Sequence, residues 1–174
     1  LHATYMDSND AADLRSDTAL IQDVLSASVL SFYKDAGYTD DVDTYLTRDL
    51  MYVALYDTDE NKNGGQTETV TVTVYVGNGI AEGGSAAGLV LDTEVLILTE
   101  SGVSSGSFQS GGIVLADTKT AAVNDGQVTW GASDTIHARY VDATDATDSS
   151  SDTALALEIA TSSVMAFYQV GFGV

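Results

Sequence analysis

The chain has 174 residues, with 26 acidic side chains against six lysines and arginines, and its formal net charge at pH 7 is −20. A surface of this charge repels phosphate backbones and anionic lipid, so we expect neither nucleic acid nor a membrane as a partner. The chain has no cysteine, which excludes a disulfide framework and thiolate metal sites. Its acidity fits two interpretations, bound cations such as calcium or a solvated surface in a saline habitat.

The first segment of the chain is repeated near its end. Residues 1–34 and 136–169 are identical at 16 of 34 positions without a gap. The chain therefore contains one full period of a repeat and the beginning of another. The shared positions include His2/His137, Tyr5/Tyr140, Asp7/Asp142, Asp10/Asp145, Asp13/Asp148 and Asp17/Asp152.

The segment that follows residue 19 fits two structures. Leu20, Val24 and Phe32 belong to a set of apolar residues at helical spacing. In the second copy, however, large apolar residues at 155, 157 and 159 alternate with alanine and glutamate, which indicates a strand. Two copies of one element share one structure, so we favour an extended chain.

The middle of the chain is a series of predicted strands separated by glycine- and asparagine-rich turns. The clearest is residues 67–76, where Val70, Val72, Val74 and Val76 alternate with threonine and tyrosine. Strands at this spacing with no helices between them predict an antiparallel β-sandwich. The other predicted strands are 51–56, 92–100, 107–116, 126–131 and 134–142. The predicted core is Val53, Leu55, Val70, Val72, Val74, Leu96, Leu98, Phe108, Trp130, Ile136 and Tyr140.

The turn after the predicted strand 51–56 is a candidate calcium site. Asp57, Asp59, Asn61 and Asn63 place oxygen ligands at alternate positions before two glycines, as a flexible calcium loop requires. It is not an EF-hand, because Glu68 is the nearest stand-in for the missing final glutamate and no helices flank the loop. An Asx-rich turn without metal is the alternative.

Two further acidic runs have carboxylates at every third residue. Asp142, Asp145 and Asp148 form one run, and Asp7 and Asp10 begin its equivalent at the amino end. Carboxylates this close repel one another unless a cation lies among them. We therefore predict either a calcium-binding linker, whose ligands meet the Asp57 turn at a junction between units, or a solvated acidic linker.

No pattern in the sequence indicates catalysis. His2 and His137 fall on the polar side of their predicted strands, where we expect surface residues. Nothing resembles a nucleophile elbow, and the glycine-rich turns precede no helix that would bind phosphate.

Four motifs together carry a family resemblance. The segments "DLMYVALYDTDEN", "TETVTVTVYV", "DTEVLILTESGVSSGSFQSGGIVL" and "NDGQVTWGASDTIHARYVDATDATDSSSDTA" occur in this order. They resemble the immunoglobulin-like tandem repeats of large prokaryotic surface proteins. The resemblance runs from about residue 29 to residue 152 and implies an immunoglobulin-like β-sandwich used as a stalk, adhesin arm, surface layer or fibre. It implies no enzyme activity.

The resemblance also sets the domain boundaries that we predict. Residues 1–28 are the closing strand and linker of a preceding repeat, residues 29–163 a complete unit, and residues 164–174 the opening strand of a following repeat. We expect an extracellular structural subunit, assembled with copies of itself or adjoining repeats through its strand-like terminal extensions and stiffened by calcium. The serine and threonine tracts suit O-linked glycan. The alternative is an adhesin module that binds carbohydrate or protein through loops 77–88 and 101–110.

Overall fold

The protein is described by a computed structural model that covers residues 1–20, 25–46, 48–78, 89–116, 122–131, 134–158 and 165–166. These residues form an all-β structure of twelve strands. A search of the same residues found no helix that is long and apolar enough to cross a membrane. The predicted boundary at residue 163 and almost all of the predicted segment 164–174 lie outside the described residues.

The strands follow the alternating pattern of the sequence closely. They are β1 (His2–Met6), β2 (Leu14–Thr18), β3 (Val29–Tyr33), β4 (Thr44–Leu46), β5 (Leu50–Tyr56), β6 (Thr69–Asn78), β7 (Leu89–Glu100), β8 (Ser107–Gln109), β9 (Ile113–Ala116), β10 (Gln127–Thr129), β11 (Thr135–Val141) and β12 (Ser149–Leu157). The predicted strand 107–116 is divided into β8 and β9. Two glycines, Gly111 and Gly112, lie between them and interrupt the strand.

Ten strands form one hydrogen-bonded sheet, in the order β10-β9-β5-β8-β7-β6-β11-β12-β4 with β3 paired to β5. Most of its pairs are antiparallel, as predicted. However, β9 and β10 run parallel, and so do β4 and β12, so the sheet is mixed. The prediction of a purely antiparallel arrangement is therefore wrong for these two pairs. Both lie at the ends of the sheet order, and each includes a strand of only three residues, β10 or β4.

One apolar core joins the strands of the ten-stranded sheet. Val72, Val74, Leu55, Phe108 and Ile136 are fully buried in it. The remaining members of the predicted core are also buried, except that Leu96 is partly buried and packs against the cluster. Alternation in a strand places every second side chain on one face, and this periodicity made the core predictable.

The two acidic runs are turns of β-hairpins and not linkers. Strands β1 and β2 pair antiparallel on either side of the first run, and β11 and β12 pair in the same way around the second. Residues 29–33 are a strand, which confirms extended structure for that part of the ambiguous segment. Residues 21–24 lie outside the described residues.

The prediction of a surface position is wrong for His137. Its side chain is 1% exposed, whereas His2 is exposed as expected. The imidazole of His137 stacks on the ring of Tyr75, with 5.8 Å between the centroids. Tyr75 lies directly opposite on β6, so the cross-strand neighbour covers this histidine.

Candidate metal centre

Three carboxylates from two distant parts of the sequence meet at one end of the sheet. Asp57 follows β5, Asp142 follows β11 and Asp148 precedes β12. One carboxylate oxygen from each lies within 4.8 Å of the other two. The Asp57 turn and the second acidic run thus come together, within a single unit.

The hairpin turn fixes two of these carboxylates. The backbone N–H of Asp142 donates to the carbonyl of Asp148 at 3.0 Å, which closes the turn. The Asp142 Oδ1 atom accepts hydrogen bonds from the Thr144 hydroxyl at 2.8 Å and from the Asp145 N–H at 3.1 Å. This oxygen stabilises the turn, whereas Oδ2 of the same group is buried and has no partner among the described residues.

The Asp57 turn is held by the segment that leads into β3. The Ser26 hydroxyl accepts hydrogen bonds from the N–H groups of Thr58 and Asp59, both at 3.2 Å, and donates to Asp59 Oδ1 at 2.5 Å. It also lies 3.3 Å from Asp57 Oδ1. Oδ2 of Asp57 is buried without a partner in the described structure.

Residues 25–28, which lead into β3 and are called the entering segment below, also bind the third carboxylate. Ser28 donates from its backbone N–H to both oxygens of Asp148, at 3.0 and 3.1 Å, and from its hydroxyl at 2.8 Å. The segment 25–28 is therefore connected to Asp57 through Ser26 and to Asp148 through Ser28.

The other carboxylate side chains that are buried as whole residues in the described chain differ from Asp57 and Asp142, because none of them has a buried oxygen without a partner. Each supports a neighbouring loop through backbone N–H groups or an ammonium group. Asp92 accepts from Thr129, Glu94 from Asp125 and Gly126, Glu100 from Ser105 and Gly106, Asp134 from Gly131, and Glu60 pairs with Lys62. A buried polar atom with no partner is costly, so the two Oδ2 atoms of the cluster require an explanation.

A buried tyrosine hydroxyl lies against the same cluster. Tyr140 is 3% exposed, and its hydroxyl makes no hydrogen bond of standard geometry to the described residues. Burial raises its pKa, and so do the close approach of the Asp57 carboxyl as a hydrogen-bond acceptor and the negative charges of Asp57, Glu60 and Asp142. The hydroxyl is therefore neutral and is surrounded by oxygen atoms.

The protonation of the cluster reflects its burial and its crowding. Burial, and next the neighbouring carboxyl of Asp59, raise the pKa of Asp57 to about 7, although the approach of the Tyr140 hydroxyl acts in the opposite direction. The hydrogen bond with Asp57 and the Ser26 hydroxyl lower the pKa of Asp59. Burial also acts on Asp142, but hydrogen bonds from Thr144 and Asp145 outweigh it and leave its pKa below the ordinary value. Asp57 is thus the carboxyl that keeps a proton toward neutral pH.

The remaining predicted ligands lie outside this cluster. Asp145 accepts from Thr147 within the hairpin turn, Asn61 donates to Ser104, and Asn63 accepts from Gly65. Glu68 lies beside Glu100 instead, where its N–H is 3.4 Å from Glu100 Oε2.

Asp7 and Asp10 lie in the separate β1–β2 hairpin, where they accept from Asn9 and Ala12. Sequence reasoning did not identify Ser26, Glu60 or Tyr140 as part of the site. Only Glu60 has a local signal, because it adjoins the Asp57-x-Asp59 pattern.

No protein-family model matches this chain, and a search of curated proteins found no match. The resemblance to immunoglobulin-like tandem repeats of prokaryotic surface proteins therefore stays a prediction.

Proposed function

We propose that this chain is a structural module of an extracellular filament, stalk or surface array, built as an immunoglobulin-like sandwich that joins adjoining repeats of its own kind. The amino-terminal hairpin is the joining element. We assign it no catalytic activity. The observation that carries the proposal is that β1–β2 has the same strand pairing as the closing hairpin β11–β12, but it is exposed and does not pair with the ten-stranded sheet.

The two hairpins agree residue by residue. Ala3 pairs with Asp17 in β1–β2, and their equivalents 135 positions later, Ala138 and Asp152, pair in β11–β12. The turns also match, because the Asp7 N–H donates to the Asp13 carbonyl at 3.1 Å as Asp142 does to Asp148. The repeated sequence therefore forms the same supersecondary structure twice.

The burial of the two hairpins is opposite. Ile136 and Tyr140 of β11 are 0% and 3% exposed, but their equivalents Leu1 and Tyr5 are 80% and 60% exposed. All ten residues of β1 and β2 are exposed. An apolar strand face and an open strand edge favour pairing with another sheet.

The repeat supports one choice of partner for this hairpin. Strand β11 pairs with β6, with Ile136 opposite Val76 and Ala138 opposite Val74. The β1 strand should pair with a β6-type strand in the same register, which puts Leu1 opposite the partner's equivalent of Val76. In this unit both edges of β6 are occupied, by β7 and β11. The partner is therefore a β6-type strand of an adjoining repeat, and not the intact sheet of a second copy.

A truncation that empties the place of β11–β12 tests this assignment. In a chain of residues 1–133, β6 has a free edge, and β1–β2 should occupy it, either within the same molecule or in a neighbouring one. We expect cooperative unfolding and dispersed amide resonances from this chain. We expect neither from residues 21–133, which lack both hairpins.

Either a monomer or a head-to-tail polymer of the 1–133 chain supports the proposal, because the hairpin has taken the equivalent position in both. A 1–133 chain as unfolded as 21–133 would overturn it. Tyr5→Asp supplies a control, because it should unfold the 1–133 chain while leaving the full-length chain folded, where Tyr5 is exposed.

A further inference from the structure

We propose that Asp57, Asp142 and Asp148 bind one divalent cation, calcium by its ligand chemistry, and that this ion fixes the entering segment 25–28 to the unit. All three ligands lie within one unit. The site therefore does not depend on where the amino-terminal hairpin docks.

The ligand atoms are identified by what the other oxygens already bind. Oδ1 of Asp142 is used by its own turn, and Oδ1 of Asp57 lies against Ser26. Both Oδ2 atoms are buried, in side chains that are 2% and 0% exposed, and neither makes a hydrogen bond of standard geometry in the described structure. Two carboxylate oxygens in this condition, with Asp148 beside them, form a preorganised set of ligands for a cation.

The Tyr140 hydroxyl borders the same site. It belongs to a core side chain that is 3% exposed, and it approaches Asp57 closely enough to affect the pKa of both groups, but it makes no hydrogen bond of standard geometry in the described structure. A bound ion, or a water in its coordination shell, supplies a well-aligned partner. Buried polar groups are satisfied in this way when protein partners are absent.

The chemistry of the set favours calcium. All of the donors are oxygens, which suit hard cations and not the softer transition metals. The three ligand oxygens lie within 4.8 Å of one another, so a single divalent ion can contact all of them. Magnesium requires near-octahedral geometry and keeps several of its waters, whereas calcium accepts an irregular set of protein oxygens such as this one.

The ion would act on the segment that enters the unit. Ser28 donates to Asp148, and Ser26 contacts both Asp57 and Asp59. When all three carboxylates are ionised they repel one another, and a divalent charge at the centre of the cluster removes that repulsion. Binding should therefore order Ser26 and Ser28 together with their carboxylate partners.

The duplicated hairpin predicts the stoichiometry. Asp7 and Asp13 are the equivalents of Asp142 and Asp148 and form the same turn. Their hairpin forms a separate two-stranded sheet and belongs to no described acidic cluster of this kind. The chain should therefore bind one calcium ion at this type of site, and not two.

Calorimetric titration with calcium chloride, in about 150 mM sodium chloride to screen the general acidity, tests the site. Asp142→Asn and Asp7→Asn remove the same charge from equivalent turns, and asparagine keeps an oxygen that can accept the turn hydrogen bonds. We expect one saturable site, weakened at least tenfold by Asp142→Asn and changed less than twofold by Asp7→Asn. The absence of a saturable site, or equal effects of the two variants, would overturn the proposal.

Terbium luminescence supplies a second readout that leaves every carboxylate in place. Terbium has calcium-like ligand preferences and emits when a nearby aromatic ring is excited, so Tyr140 should sensitise a bound ion. We expect Tyr140→Phe to remove most of this emission and Tyr5→Phe, its equivalent on the exposed hairpin, to preserve it. Equal emission from both variants would contradict the site.

Amide hydrogen exchange tests the role of the ion in the entering segment. Calcium should slow exchange at Ser28 in the wild-type protein and in Asp7→Asn, but not in Asp142→Asn. Unchanged exchange at Ser28 in a calcium-saturated protein would show that the ion does not fix this segment.

Discussion

Ser28 and Asp148 form three hydrogen-bond contacts across 120 residues of sequence, from the serine N–H to both carboxylate oxygens and from its hydroxyl to one of them. The contacts connect the residue just before β3 to the residue just before β12. The beginning and the end of the unit are therefore tied together at one point, next to Asp57 and Asp142. The candidate site thus lies where the chain enters the fold.

Ser28→Ala should destabilise the protein by about 1–2 kcal/mol, because it removes a partly buried hydrogen bond to a charged group. The two N–H contacts stay in place, so the fold should survive. Denaturant unfolding at pH 7 measures the change. Ser149→Ala, at an exposed position one residue after Asp148, is the control. A similar loss in the control would mean that the Ser28 hydroxyl contributes nothing specific.

Val72→Asp should prevent folding, because it places a charge with no partner in the centre of the core. Val72 is 0% exposed, whereas its neighbour Thr71 points to the opposite, exposed face of β6. Thr71→Asp is therefore a matched control and should retain a cooperative transition in circular dichroism. If Val72→Asp melts as the parent does, the assigned inner face of β6 is wrong.

The core could be predicted because it depends on a local property. Alternation along β6 assigns Val72 to the inner face without knowledge of its neighbours. The strand β4 gave no such signal, since a strand of three residues has almost no period to detect. Its pairing with β12 is parallel and long-range, which the local sequence does not encode.

The carboxylates of the candidate site could also be predicted from local patterns, whereas its long-range contacts could not. The sequence indicated Asp57, Asp142 and Asp148 as ligands, since carboxylates in acidic turns are a local pattern. It gave no sign that Ser26 joins them, because that contact spans 31 residues and involves a common residue type. Tyr140 was assigned to the core, and only the packed structure shows that its hydroxyl lies beside the acids.

Ile136→Ala and Leu1→Ala should differ sharply although the residues are equivalent in the repeat. Ile136 is fully buried, so its truncation should cost about 2–5 kcal/mol. Leu1 is 80% exposed, and its truncation should change the stability of the full chain by less than about 0.5 kcal/mol. Thermal unfolding of the two variants gives the comparison. In the 1–133 chain, where β1 should replace β11, Leu1→Ala should become costly, and a persistent small effect there would count against the equivalence.

Gly106→Ala should be more harmful than Gly126→Ala, although both glycines have positive φ, at +62° and +82°. A side chain in this region costs about 1 kcal/mol by itself. At Gly106 the added Cβ would lie 3.1 Å from the carbonyl oxygen of Asp57 and from the Cα of Thr58, whereas at Gly126 it would meet nothing within 4 Å. We expect Gly106→Ala to lose about 1 kcal/mol more in denaturant unfolding and to weaken calcium binding by displacing Asp57. Equal losses would show that the turn absorbs the added group.

The pH dependence of stability should contain a contribution from Asp152. Burial raises the pKa of this carboxyl, although hydrogen bonds from the N–H groups of Phe32 and Thr153 act in the opposite direction, and Asp41 and Asp43 raise it further. The folded state therefore binds more protons than the unfolded state above the ordinary aspartate pKa of about 3.9. It follows that this group makes the protein less stable as the pH rises through that window.

Asp152→Asn removes the titrating group but keeps an oxygen that can accept from the Phe32 N–H at 2.8 Å. The stability of the variant relative to the wild type should therefore improve between about pH 3.5 and pH 7. Urea unfolding at a series of pH values measures this difference. Asp17→Asn, at the equivalent position of the exposed hairpin, removes the same charge and corrects for net charge, which is −20 in the parent. A difference between wild type and Asp152→Asn that stays constant with pH, or that matches the Asp17→Asn control, would contradict the role of burial at Asp152.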